Sequence, residues 1–317
     1  SGNGNRKIFT NSFWVKRGQI SLGANSNILG SSDSGFGNGW FVQFQSDDSL
    51  RVGFQDPNEF KVTRRLFRDP SAWYHIVVAV DVTQSSNSDR IKIYVNGTQE
   101  TSFSTDNTIT NIDKGWNNTQ AHSVGRSGAF GSQYFDGYLS EVINIDGTQL
   151  TPTSFGETDS NGVWIPKALS GLTFGTNGFH LDFEDGSDLG DDNSGNTNDF
   201  TEVNIASVDK TLDIPQNNYA VLNTIVGNEA NLSTTSDGNL NVLITSGGAI
   251  PATIGFDKGK WYWEVEIDTQ KDYTQLAGII NESHLLSGNV GATSTSWGYF
   301  LQGNTDNGKA FHNNSAS

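Results

Sequence analysis

The stretch Ile91-Lys92-Ile93-Tyr94-Val95-Asn96-Gly97 decides the fold of the first half of this 317-residue chain. Ile91, Ile93 and Val95 alternate with more polar residues, and this period of two places them on one face of a β-strand. The Asn-Gly pair that follows supplies the positive φ angles of a tight hairpin turn. The stretch therefore predicts a β-hairpin whose apolar face packs on a core.

Further strands are predicted on both sides of this hairpin. They lie at residues 8–15, 40–44, 50–54, 73–81 and 135–142. Thr151 followed by Pro152 predicts a helix start, because proline suits the first helical position. Many short strands joined by turns rich in Gly, Asn and Ser predict an all-β chain with no long helix.

The composition limits the classes of partner. The chain carries 19 basic and 35 acidic residues, so its formal net charge is −16. Long-range repulsion of this size disfavours nucleic acid and anionic membrane surfaces as partners. No apolar run is long enough to span a bilayer, so we expect no membrane insertion. There is no Cys to form disulfides and no initiator Met, and we expect further residues upstream of Ser1.

The hairpin belongs to a wider resemblance. Phe13-Trp14-Val15-Lys16-Arg17-Gly18 resembles an early strand of laminin G-like domains, and the strand at residues 135–142 resembles their closing strand. The resemblance implies a laminin G-like, or concanavalin A-like, jelly roll at residues 1–156. It also implies calcium binding at a loop rim, although no ligand set of that family is matched here.

A second resemblance lies nearer the C-terminus. Trp261-Tyr262-Trp263-Glu264-Val265-Glu266-Ile267-Asp268 is similar to the signature strand of SPRY-type domains. Together with predicted strands at 240–244, 253–256, 276–279 and 297–300, it implies the first half of a SPRY-like β-sandwich at residues 217–317. The later strands of that family are absent before Ser317, so either the sequence is a piece of a longer chain or another chain completes the sheet.

The predicted fold class is therefore all-β, with two antiparallel β-sandwiches joined by a connector. The connector, residues 157–216, is rich in Asp, Asn and Gly, but it also holds apolar stretches at 163–166 and 179–183. We expect it to pack against a sandwich as a loop-rich segment, not to act as a flexible linker.

Catalytic signatures are weak. Glu264, Glu266 and Asp268 share one face of the predicted strand, about 7 Å apart in succession. A retaining glycosidase needs two carboxylates about 5 Å apart, but this Glu-x-Glu-x-Asp order departs from the Glu-x-Asp-x-x-Glu of jelly-roll glycosidases. There is no nucleophile elbow and no phosphate-binding loop, and the five His lack metal-ligand spacing. The sequence predicts a protein that is not an enzyme and requires no cofactor.

Calcium is the one cofactor for which the sequence offers candidates. Carboxylate and amide oxygens are crowded at residues 182–199, and hard cations prefer such ligands. The candidate ligands are Asp188, Asp191, Asp192 and Asn193. The alternative is a surface turn in which Asp and Asn side chains bond their own backbone. The helix–loop–helix calcium pattern itself fails, because Gly195 falls one position early.

Aromatic residues in polar stretches can stack on sugar rings. The best candidate is Trp116, within Lys114-Gly115-Trp116-Asn117-Asn118. The other glycan-binding candidates are Trp40, Phe36 and Tyr134, and Phe130 has a similar setting. The alternative for each is burial in a core, which we expect for Trp14, Trp73, Trp261 and Trp263.

The chain as a whole resembles virion proteins of marine tailed phages, on the segment 182–199 and on the stretches 171–175, 194–196 and 218–223. The resemblance implies a tail-fibre or head-decoration protein on the virion surface, which adheres to host-cell glycans or to other virion proteins. It also implies a homo-oligomer, with a trimer as the usual state of phage fibres. One alternative is a secreted or cell-surface bacterial adhesin or carbohydrate-binding module; a weaker one is a glycoside hydrolase.

Overall fold

The computed structural model describes most of the chain. The described residues are 2–20, 23–31, 39–55, 58–127, 133–225, 232–244, 249–268, 275–281, 289–302 and 308–316. They divide into two compact units, Ser1–Tyr219 and Ala220–Ser317. Within the described ranges the secondary structure is β, apart from one α-helical turn, Asn87–Arg90, and two 3-10 turns, Pro152–Ser154 and Ser207–Asp209. The all-β prediction is confirmed.

Short strands make up the first unit. They are β1 (Ile8–Arg17), β2 (Ser26–Ser31), β3 (Trp40–Phe44), β4 (Ser49–Phe54), β5 (Glu59–Leu66), β6 (Tyr74–Asp81), β7 (Ile91–Val95), β8 (Thr98–Gln99), β9 (Phe103–Asp106), β10 (His122–Val124), β11 (Gly137–Asp146), β12 (Gly156–Thr158), β13 (Trp164–Pro166) and β14 (Phe179–Leu181). Each strand predicted from the sequence of the first sandwich coincides with one of these or overlaps it.

Two antiparallel six-stranded sheets face each other. Sheet A has the order β14-β11-β1-β6-β7-β8, and sheet B has the order β10-β2-β3-β4-β5-β9. Alternate residues of both sheets meet in one fully buried core, to which Phe13, Trp40, Val78 and Ile93 belong. Burial of this apolar surface is the main stabilising term, at about 25 cal/mol per Å². The result is a β-sandwich of the jelly-roll kind.

The hairpin predicted at residues 91–97 forms as expected. Val95 pairs with Thr98 across the turn. Asn96 has a φ of 47° and Gly97 a φ of 79°, as a two-residue turn of the I′ type requires. The apolar Ile91, Ile93 and Val95 all face the core.

The connector packs on the first sandwich. Phe155 forms a second apolar cluster with Val77, Ile143 and Ile145, which lie on the outer face of sheet A. Partly buried side chains extend this cluster: Leu150 precedes the connector, and Leu169, Leu172 and Phe174 belong to it. The chain from 157 to 216 thus belongs to the first compact unit. The helix predicted at Pro152 is only the 3-10 turn, because the chain enters β12 directly after it.

The second unit contains a two-stranded and a four-stranded antiparallel sheet. Its strands are β15 (Leu232–Ser236), β16 (Asn241–Ile244), β17 (Gln275–Ile280), β18 (Ser296–Gln302), β19 (Ala310–His312) and β20 (Ser315–Ala316). The strands predicted at 240–244, 276–279 and 297–300 correspond to β16, β17 and β18. In the described part of the chain no helix is long and apolar enough to cross a membrane.

The predicted strand Trp261–Asp268 is wrong. These residues carry no strand, and Trp261 and Trp263, which we expected in a core, are 59% and 48% exposed. The predicted strand at 253–256 also does not form. Aromatic alternation favours a strand, but a strand requires a neighbour that accepts its backbone hydrogen bonds. Among the described residues no strand pairs with either segment.

Candidate functional site

The outward face of sheet B carries an unusual set of polar side chains. Gln43 lies between two core residues of β3, and Arg51 lies between two core residues of β4. Because successive side chains of a strand point to opposite faces, both residues point away from the core. The outward face of a sheet usually carries solvated polar groups, yet Gln43 is only 4% exposed.

Strand register places three of these side chains side by side. Asn27 of β2 pairs with Gln43 of β3, and Gln43 pairs with Arg51 of β4. Paired residues of antiparallel strands have Cα atoms roughly 5 Å apart and project to the same face. We call Asn27, Gln43 and Arg51 the polar row.

Each member of the polar row has a buried side-chain atom that lacks a hydrogen-bond partner. These atoms are Oδ1 of Asn27, Nε2 of Gln43 and Nε of Arg51. Buried polar atoms of native proteins are nearly always satisfied by protein groups, water or a ligand. Three such atoms in one register row supply one acceptor and two donors to whatever lies over the sheet.

Aromatic rings flank the row. The Arg51 guanidinium lies over the ring of Phe60 at 3.9 Å and over the ring of Phe41 at 4.4 Å. Both rings lie on the outward face, where Phe41 and Phe60 pair with the two sides of Gly53. Burial lowers the pKa of Arg51 from its ordinary value. The rings hold the guanidinium plane in one orientation through cation–π contact.

The backbone at Gln133 and Tyr134 runs beside β2, next to Asn27. Asn27 donates from its backbone to the carbonyl of Gln133 at 2.9 Å and from Nδ2 to Oε1 of Gln133 at 2.8 Å. Ser26 donates to the carbonyl of Tyr134 at 3.3 Å. The Tyr134 ring is 60% exposed. Among the predicted glycan-binding residues that the structure describes, Tyr134 is the one whose ring is accessible.

Trp116 and Trp40, the other described candidates, are core residues, and their assignment to a glycan platform is wrong. Trp116 is 0% and Trp40 1% exposed. The indole of Trp116 donates to Oδ1 of Asn144 at 3.0 Å, and that of Trp40 donates to Oδ1 of Asn11 at 3.0 Å. Asn11 and Asn144 bond each other at 3.0 Å. Amide side chains inside the core therefore satisfy both indoles, and the polar neighbours of Trp116 do not signal exposure.

Phe36 and Phe130 lie outside the described residues. The core assignment of Trp14 and Trp73 is confirmed, since both are buried.

The predicted calcium ligands do not assemble into a cation site. The carboxylate of Asp192 accepts hydrogen bonds at 2.8–2.9 Å from the backbone N–H groups of His180, Ser194 and Asn198 and from the Ser194 hydroxyl. Within the described ranges, no group of three or more His, Asp or Glu side chains is placed to hold a metal ion. Asp192 thus organises a turn, as the alternative interpretation of this segment states.

The other predicted ligands remain apart from that network. Asp188, Asp191 and Asn193 are exposed, and each donates a hydrogen bond from its backbone N–H. Desolvation and the neighbouring carboxylates of Asp188 and Asp199 raise the pKa of Asp191. The prediction that Asp188, Asp191, Asp192 and Asn193 together bind calcium is therefore wrong: these side chains do not converge on one point.

The carboxylates considered for catalysis are not paired on a strand. Glu264, Glu266 and Asp268 are exposed, in a segment without strand structure. The strand that would hold them on one face, at a set distance, does not form. This geometry does not provide the fixed pair that glycoside hydrolysis requires.

Sequence reasoning did not identify the polar row. The one available signal was a single polar residue at an interior position of each of two apolar strands, Gln43 within 40–44 and Arg51 within 50–54. Such residues are ordinary on a solvated sheet face. Only the folded sheet shows that Gln43 and Arg51 are in register with Asn27. It also shows that Nε2 of Gln43 and Nε of Arg51 are buried.

Comparison with known proteins agrees with the fold of the first unit. Residues 2–153 match a laminin G family model described as the concanavalin A-like lectin/glucanases superfamily. This part of the chain is similar to that family, and the match spans just under half of the chain. No curated protein sequence matches the chain.

Several solved structures are similar to part of the chain. The heptameric SAP-like pentraxin of Limulus polyphemus is 17% identical, with 47% of this chain and 68% of the pentraxin covered and a TM-score of 0.32. The Trypanosoma rangeli sialidase is 15% identical, with 47% and 22% covered and a TM-score of 0.32. The binding domain of botulinum neurotoxin serotype D is 14% identical, with 36% and 28% covered and a TM-score of 0.25. The match spans less than a third of the sialidase and neurotoxin chains.

Proposed function

We propose that this chain is a surface protein of a tailed-phage virion that adheres to glycans through its first sandwich and catalyses no reaction. The observation that carries the glycan part is the polar row of Asn27, Gln43 and Arg51. Its three unpartnered buried atoms lie on one face of a domain whose family comprises lectins and glucanases.

The chemistry of this face suits a sugar. A sugar hydroxyl both donates and accepts, so it complements Oδ1 of Asn27 together with Nε2 of Gln43. The C–H faces of a pyranose ring are apolar and stack on aromatic side chains, which Phe41, Phe60 and Tyr134 supply. Since Asn27 is buried and hydrogen-bonded to Gln133, and Arg51 is partly exposed, the ligand approaches from the Arg51 end.

Binding without turnover is favoured by the residue types in the row. An amide, a second amide and a guanidinium can position a ligand, but none of them is a general acid or base near neutral pH. The carboxylates of the same sheet are engaged elsewhere: Glu59 pairs with Lys114, Asp48 with Arg17, and Asp106 with Lys61. Glycoside hydrolysis needs two free carboxylates at one sugar bond.

The virion location rests on the sequence resemblance to tailed-phage proteins. Rigid sheets that present rim loops suit an adhesin, because several weak contacts become avid when copies are held together. A homo-oligomer, with a trimer as the expected state, would supply that multivalency. Other virion proteins are the second class of partner in this proposal.

The glycan part is tested by binding of the purified chain to a printed array of neutral and acidic oligosaccharides, followed by titration of each hit. We expect Gln43→Ala to weaken binding of the hit at least tenfold. Gln99→Ala, an exposed residue of β8 on the other sheet, is the matched control and should bind as the wild type does. Equal binding by Gln43→Ala would refute the proposed site.

The location is tested by electron microscopy with gold-labelled antibody against this chain. Gold on fibres or capsids would support a virion component and show its position. Gold on cell envelopes, with bare virus particles, would instead support the secreted or cell-surface bacterial adhesin. Release of reducing sugar from any bound polysaccharide would overturn adhesion without catalysis.

A further inference from the structure

Among the described residues, Arg51 is a partly desolvated cation without a counter-charge. Its Nε atom is buried and has no hydrogen-bond partner, and Arg51 takes part in no ion pair with any described residue. Its register neighbours on the same face are Gln43 and Val62, which carry no charge. Burial lowers its pKa, but a guanidinium keeps its proton at physiological pH.

The cations of this unit that are more deeply buried than Arg51 show the usual arrangement. Lys114 pairs with Glu59, and Lys16 pairs with Asp213 at 2.7 Å. Arg17 pairs with Asp48 at 2.9 Å. Buried charges are normally paired in this way, because removing a charge from water without compensation costs several kcal/mol. Arg51 departs from this rule on the face where the polar row lies.

We infer that Arg51 and Gln43 bind the anionic substituent, carboxylate or sulfate, of an acidic sugar. The inference rests on the proposed glycan-binding function and names the class of glycan. Nε of Arg51 and Nε2 of Gln43 are neighbouring donors, and an oxyanion accepts from two donors at once. A charge-assisted hydrogen bond to an oxyanion is about twice as strong as a neutral one.

The rings around Arg51 contribute to this preference. The Phe60 and Phe41 ring centroids lie 3.9 and 4.4 Å from the guanidinium carbon and 6.2 Å from each other, so the rings cover two adjacent sides of the guanidinium. The N–H groups on its uncovered side remain to donate hydrogen bonds, and the planar fork of a guanidinium matches the plane of a carboxylate. Asn27 Oδ1, at the other end of the row, accepts from a hydroxyl of the same sugar.

Because the net charge of the protein is −16, only short-range contacts at Arg51 and Gln43 can attract an acidic sugar. At long range the protein repels an acidic polysaccharide, so electrostatic steering does not assist association. Salt screens this long-range repulsion over about 8 Å at physiological ionic strength. A half-buried ion pair at Arg51 is screened much less, so association should be faster at 150 mM salt than at 20 mM.

The test is calorimetric titration of the full chain with three probes: an oligogalacturonate, a heparin-derived sulfated oligosaccharide and a neutral dextran oligosaccharide. We expect the wild type to bind at least one acidic probe at least tenfold more tightly than the neutral probe. Arg51→Gln should abolish that preference. Arg64→Gln removes the same charge from an exposed position of β5 and should keep the preference.

A second variant keeps the test valid if Arg51→Gln does not fold. Gln43→Glu places a carboxylate beside Arg51, where it should compete with the ligand and weaken acidic probes at least tenfold. Acidic binding unchanged in Arg51→Gln or in Gln43→Glu would overturn this inference. Binding of neutral glycans alone would also overturn it while leaving the glycan function intact; absence of binding to any glycan would overturn the function itself.

Discussion

The indole Nε1 of Trp164 donates a 2.9 Å hydrogen bond to Nδ1 of His75, 89 residues earlier in the chain. Because an indole N–H can only donate, Nδ1 accepts and the imidazole proton lies on Nε2. Nε2 then donates to the hydroxyl of Ser12 at 2.9 Å. The His75 ring lies between those of Trp14 and Trp164, with centroids at 4.7 and 6.0 Å. One neutral imidazole thus joins β1, β6 and the connector.

This arrangement predicts a pH-dependent stability. Burial lowers the pKa of His75 from 6.5 to about 3, so between these values the unfolded chain binds a proton that the folded chain does not. The free energy of unfolding therefore falls as the pH falls below 6.5, by about 1.4 kcal/mol per pH unit from this group. Urea denaturation of the wild type and of His75→Gln between pH 4.5 and 7 measures it. The variant should show a shallower slope, and equal slopes would contradict the assignment.

Replacing Gly97 by Ala should cost stability for two separate reasons, a steric clash and an unfavourable backbone conformation. A Cβ there would lie 2.7 Å from the Trp164 ring, and the φ of +79° also disfavours any side chain. Gly125 has a φ of +76° with open space around its position for a Cβ. We expect Gly125→Ala to cost about 1 kcal/mol of stability and Gly97→Ala about 2–4 kcal/mol. Equal losses in urea denaturation would show that the turn does not press on Trp164.

Lys16 anchors the end of the first unit to β1. Its ammonium, fully buried, donates to Oδ2 of Asp213 at 2.7 Å, to Oδ1 of Asn218 at 2.8 Å and to the carbonyl of Tyr219 at 2.8 Å. We expect Lys16→Met to cost about 3–5 kcal/mol, since the buried Asp213 carboxylate loses its counter-charge.

The double variant Lys16→Met/Asp213→Asn is the internal control for that loss. Its Asn can still accept from the Trp73 indole, which bonds Oδ1 of Asp213 at 2.9 Å. It should recover more than half of the stability lost by Lys16→Met, as measured in a double-mutant cycle. Additive losses would show that the ion pair itself contributes nothing.

The effect of calcium on stability can be separated from the effect of the hydrogen bonds to Asp192. Since its carboxylate already accepts four hydrogen bonds, Asp192→Ala should lower the thermal midpoint by several degrees whether or not calcium is present. Millimolar calcium added to the chelated wild type tests the cation itself. A ligand that binds only the folded state raises the midpoint; an unchanged midpoint would exclude stabilising calcium.

The strands of the first sandwich could be predicted from sequence because their signals are local. The Ile91 to Val95 alternation and the Asn96-Gly97 turn act over a few residues, and both are present in the structure. The same reasoning failed at Trp261–Asp268, where an equally strong alternation has no neighbouring strand among the described residues. Propensity indicates that a segment can form a strand, but the partner decides whether it does.

The sequence by itself determined the all-β class, the jelly roll of the first unit and the acidic charge that disfavours nucleic acid. Tertiary structure alone decided that Trp116 is a core residue, because the burial of its indole depends on Asn144, 28 positions away. It likewise decided that Asn27, Gln43 and Arg51 form one row. Pairing between strands sets which side chains are neighbours, and that register is a property of the folded sheet, not of any one strand.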